Sequence, residues 1–74
     1  MPAEHSRVAL TKDCPEEGLS AGDVGTVVHI YGERGVEVEF FNGAGGTVAV
    51  LSLPADTVRP LGERDVLHAR RLAA

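Results

Sequence analysis

Residues 24–41 read VGTVVHIYGERGVEVEFF, and their spacing decides the fold class. Val24 to Tyr31 is β-branched and aromatic and too short for an amphipathic helix. Val36 to Phe41 alternates apolar and acidic residues, the pattern of a half-buried strand. Gly32-Glu33-Arg34-Gly35 joins the two. If Val28 and Ile30 share a buried face with Val36, Val38 and Phe40, antiparallel pairing sets Ile30 opposite Val38 and Val28 opposite Phe40. Glu33-Arg34-Gly35 is then a three-residue loop with Gly35 in the left-handed conformation, where glycine costs least. A two-residue loop would set Ile30 opposite Glu37 and mix the faces. The outward face follows from the same register: Tyr31 opposite Glu37, His29 opposite Glu39 and Val27 opposite Phe41.

Further strands flank this hairpin. Arg7 to Thr11 is a short one. Lys12 to Gly22 is a long loop rich in Asp, Pro, Glu, Ser and Gly, with Leu19 as its anchor to the core. Thr47 to Leu53 is strongly β-forming and ends at Pro54, where Pro54-Ala55-Asp56 suits one 3₁₀ turn. Thr57 to Arg59 is a last short strand before Pro60. Strands and helices alternate too little for an α/β fold. A long loop between the first two strands is the layout of SH3-like barrels. The expectation is therefore an all-β, small five-stranded SH3-like barrel over residues 1–62, followed by a tail or short helix over 63–74. Its expected core is Val8, Leu10, Leu19, Val24, Val28, Ile30, Val38, Phe40, Val50 and Val58, with Val48/Val50 and Ala49/Leu51 competing for the inside of the fourth strand.

The 74 residues suffice for one domain, and burial supports so small a fold only marginally. Net charge is −4 and unevenly spread. Residues 1–62 set four cations against nine acids, a net −5, and residues 63–74 carry +1. An acidic body repels phosphate backbones, which argues against nucleic acid as a partner. Cys14 is the only cysteine, so no intrachain disulfide forms and a reducing compartment is expected. No apolar run approaches ~20 residues and the N-terminal stretch does not resemble a signal peptide. A cytoplasmic monomer with no membrane contact is the expectation. In the tail, Arg64, Arg70 and Arg71 suit either solubility or nucleic-acid contact, and Val66, Leu67 and Leu72 suit a short helix leaning on the barrel or a partner.

Catalytic chemistry finds little support. Gly22-Asp23-Val24-Gly25 lacks the lysine and following helix of a phosphate loop and reads as a turn into a strand. His5, His29, His68 and Cys14 show no metal-ligand spacing, so neither metal nor cofactor is expected. Asp13, Glu16 and Glu17 flank Cys14 and disfavour its thiolate. Glu37 and Glu39 lie ~7 Å apart on one strand face, but so small a barrel offers no pocket to strip water from them. With no catalytic residues, the expected site is an acidic docking face. Tyr31 and Phe41 are its aromatic anchors, and His29, Glu37 and Glu39 lie between them.

One pattern runs through most of the chain: L-T-K-D-x-P-E-x-G-L-x-x-G-D-x-G-T-V-V over Leu10 to Val28, then Val38 to Phe41, Thr47 to Pro54 and Val58 to Pro60. With it the sequence resembles a family of very short bacterial proteins described as a domain of unknown function. The resemblance implies an SH3-like layout and no particular activity. In size and acidity such proteins are similar to partner proteins of toxin–antitoxin and toxin–immunity pairs. Ala21 to Val27 also resembles KOW-type ribosomal and transcription-factor segments, and the layout is similar to small accessory subunits of electron-transfer complexes. The functional expectation is a small non-enzymatic protein-binding module, antitoxin- or immunity-like, that neutralises a basic partner protein. The alternatives are an accessory subunit of a larger enzyme complex and a KOW-like nucleic-acid-binding domain.

Overall fold

In the computed structural model, residues 3–72 are described. The stretches rich in Val, Thr and aromatics form strands: β1 (Arg7–Leu10), β2 (Val24–Tyr31), β3 (Gly35–Phe41), β4 (Thr47–Pro54) and β5 (Val58–Pro60). Two 3₁₀ turns lie at Pro15–Glu17 and Ala55–Thr57. All pairings are antiparallel, in the order β4-β3-β2-β1-β5. Pro54 and Pro60 fall on the two edge strands, where a missing amide donor is tolerated.

The sheet curls round a single core. Val8, Leu10, Leu19, Val27, Val36, Val38, Phe40 and Val58 form the buried cluster, and Ala49, Leu51 and Leu53 of β4 pack against it. Both edge strands thus meet the same core, which is the barrel layout the sequence implies. The chain is all-β with five strands.

The register differs from expectation. Next to the turn, Tyr31 pairs with Gly35, Ile30 with Val36 and His29 with Glu37. The three-residue loop is therefore Gly32-Glu33-Arg34, and Gly32, not Gly35, takes a positive φ of 62°. A bulge then falls between Val27 and His29, and pairing resumes with Val27 opposite Val38, Thr26 opposite Glu39 and Gly25 opposite Phe40. One extra residue on β2 inverts the side-chain alternation beyond it. Val27 goes inside and is fully buried, while Val28 is only half-buried. Val27 therefore does not face Phe41.

Other expected core residues also shift. Val24 and Ile30 are half-buried, Ile30 packing against the core cluster. Val50 is 49 % exposed, because the register sets Ala49, Leu51 and Leu53 opposite Phe40, Val38 and Val36 on the inner face. Ala9 and Val36 join the buried set. Gly25 lies against β3 so closely that a Cβ there would meet the Glu39 carbonyl oxygen at 2.9 Å.

No helix forms in the tail among the described residues; Ala73 and Ala74 lie outside them, as do Met1 and Pro2. Asp65 instead closes a turn, accepting from the Gly62 amide at 2.7 Å and from Arg59 Nη1 at 3.1 Å.

Candidate functional site

Strand alternation sends His29, Tyr31, Glu37 and Glu39 to the outward face, as the sequence implies, but in a different arrangement. His29 sits directly opposite Glu37, not Glu39. Tyr31 sits opposite Gly35, and its hydroxyl reaches diagonally to Glu37 Oε2 at 3.3 Å. Without a bulge between them, His29 and Tyr31 stay on one face, and their rings meet edge-on with centroids 4.5 Å apart. His29 Nδ1 also lies 3.8 Å from Glu4 Oε2, so an acid from the N-terminal segment borders the cluster. Glu39 faces Thr26 on one side and Val50 on the other, and accepts from Thr47 Oγ1 at 2.6 Å.

Phe41 does not join them. It stands at the far end of β3, six residues from Gly35, or ~20 Å along the strand. There it lines a groove of about 620 Å³ with Leu19, Val24, Phe40, Val48 and the tail. The five expected site residues thus divide: His29, Tyr31, Glu37 and Glu39 form one continuous face, and Phe41 belongs to a second surface.

That second surface is built by the long loop. Cys14 and Leu19 pair through backbone hydrogen bonds of 2.8 and 3.1 Å, and Leu19 inserts into the core. Asp13 Oδ1 accepts from the Ala21 amide and Asp23 Oδ2 from the Ser20 amide. These Asx-type contacts fix the loop and aim the Gly18 carbonyl and the Asp23 carboxylate in one direction. Arg70 meets both: Nε donates to Asp23 Oδ1 at 2.9 Å, and Nη2 donates to Asp23 Oδ2 at 2.6 Å and to Gly18 O at 2.9 Å. The fork geometry is that of bidentate guanidinium–carboxylate recognition. It holds the Asp23 carboxyl below its usual range, outweighing the opposing effect of partial burial. The sequence marks Asp23 only as a turn residue and Arg70 only as one cation of a basic tail. The one sequence signal for their pairing is charge, a +1 tail after a −5 body, and it cannot select partners 47 residues apart.

A family model described as Domain of unknown function (DUF4926) matches residues 4–60. The chain belongs to that family. The matched stretch holds all five strands, the outward face and Asp23, and it ends before Arg70. No curated protein and no solved structure matches the chain.

Proposed function

We propose that this chain is a small non-enzymatic binding module that docks a basic protein through the outward face of β2, β3 and β4. The observation that carries the reading is the Tyr31 cluster. A half-exposed aromatic ring has His29 against its edge and the Glu37 carboxylate at its hydroxyl. Val50, exposed across from Glu39, extends the apolar area beside a second carboxylate. Aromatic anchors flanked by charge are what protein interfaces use. The open sheet face leaves both carboxylates in water, which suits ion pairing with a cationic surface better than acid–base catalysis. An antitoxin- or immunity-like neutraliser of a basic protein is the form this function takes.

The test is capture from native lysate with wild type and a Tyr31→Ala/Glu37→Lys/Glu39→Lys variant, with captured proteins identified. Wild type is expected to retain one basic protein at low salt and to associate more slowly as salt rises. The variant should lose it. A variant that folds normally and keeps the same partner would show this face to be solvated sheet. Stoichiometric capture of one large enzyme would make the chain its accessory subunit instead.

A further inference from the structure

The second surface is occupied, but by a segment that fills it poorly. Among the described residues, the backbone of residues 66–72 makes no hydrogen bond. Val66, Leu67 and Leu72 are exposed at 92, 59 and 44 %, so the tail's apolar side chains gain little burial. Beneath Leu67 and Leu72 the groove of about 620 Å³ stays open, with Val24, Phe41 and Val48 as its accessible apolar walls over the buried Leu19 and Phe40. Beyond the Asp65 turn, the Arg70 guanidinium is the polar attachment of residues 66–72.

We propose that Asp23, the Gly18 carbonyl and the adjoining groove form an arginine-binding site for an extended segment of a partner protein, which the chain's own Arg70 fills in the free state. The chemistry of the occupant is read from the site. Asp23 presents two carboxylate oxygens and Gly18 one carbonyl, which match three guanidinium N–H donors; a lysine ammonium cannot reproduce the side-by-side pair to one carboxylate. Asp13 adds negative potential at the same place. The apolar walls next to the cradle call for an aliphatic or aromatic side chain near that arginine, a place Leu67 and Leu72 leave largely unfilled. A partner segment carrying both groups would gain the same three hydrogen bonds and bury the groove, whereas the tail gains the hydrogen bonds with little burial. This surface lies at the opposite end of β3 from the Tyr31 cluster and does not depend on the function proposed for that face.

The experiment uses the full chain and a labelled peptide of its own residues 64–72, RDVLHARRL, as the probe. Binding is followed by fluorescence anisotropy to wild type, to Arg70→Ala/Arg71→Ala, and to that double variant carrying Asp23→Asn. The double variant, with its cradle vacated, is expected to bind the peptide at least tenfold more tightly than wild type. The added Asp23→Asn, and a peptide with alanine in place of Arg70, should each abolish the gain. Equal affinity for wild type and the double variant, or a gain that survives Asp23→Asn, would overturn the proposal. A second measurement needs no variant. Arginine amide titrated into wild-type protein should shift the backbone amide signals of Gly18, Asp23 and Ala69 together, while lysine amide at equal concentration leaves them in place. Identical responses to the two would show a general ionic effect and no arginine site.

Discussion

The two ends of β3 present two surfaces made by different physics. At the Gly35 end, His29, Tyr31 and Glu37 are placed by the backbone ladder: their positions follow from register, and altering them means altering the sheet. At the Phe41 end, Arg70 is placed by side-chain hydrogen bonds alone, from a segment with no secondary structure. A surface of the first kind is as stable as the fold. One of the second kind opens without unfolding, because it depends on few contacts. The family match follows the same division, ending at residue 60 with the ladder inside it and the tail outside.

The sharpest way to break the ladder is at Gly25. A Cβ there would stand 2.5 Å from Val38 Cγ1, 2.9 Å from the Glu39 carbonyl oxygen and 3.0 Å from Phe40 Cδ2. The carbonyl is backbone and cannot turn aside, so β2 must move away from β3. Gly25→Ala is expected to destabilise by about 3 kcal/mol, seen as a lowered urea midpoint. The Tyr31 cluster and the Asp23 cradle should fail together, since β2 carries the one and leads out of the other. An unchanged midpoint would mean that the strands are not so closely apposed.

Gly32 and Gly35 offer a smaller contrast within one turn. Gly32 has φ 62°, and a side chain there is strained although nothing crowds it. Gly35 lies in strand β3 with no contact to an added Cβ closer than 3.5 Å. Gly32→Ala should cost about 1 kcal/mol, and Gly35→Ala less than about 0.5 kcal/mol. The reverse order would restore the register with Gly35 at the left-handed position. This is also where the limit of the sequence lies. Strand existence, loop length and the outward set His29, Tyr31, Glu37 and Glu39 could be read from alternation. The bulge could not, because Val27 and Val28 are both valine and either can face the core. Val50 misled for a similar reason: Val48 to Leu51 is apolar at every position, so β4's inner face is set by its pairing to β3. Phe41 alternates outward with the two glutamates, but alternation says nothing of how far along the strand a surface extends.

Acid should separate the two surfaces with the smallest change to the whole. Arg70 holds the Asp23 carboxyl below its usual range, with the Ser20 amide adding to the effect. A lowered folded value means that the contact is fully present above the ordinary carboxylate value of ~3.9 and is lost as pH falls through the lowered one. Asp13 also lies near the cradle, but it reaches Arg70 only through space, while Asp23 holds it directly. Tail amides from Leu67 to Leu72 should therefore shift as pH falls below the ordinary carboxylate value, in a range set by Asp23. The core amides of Val27, Val36 and Val38, whose hydrogen bonds are backbone only, should follow later or not at all. In Asp23→Asn the carboxyl is gone, so the tail should be displaced already at neutral pH, and any acid step left near its base belongs to Asp65, which Arg59 holds below its usual range. If tail and core signals move together at every pH, the tail is part of the cooperative fold, and the contrast between the two ends of β3 does not hold.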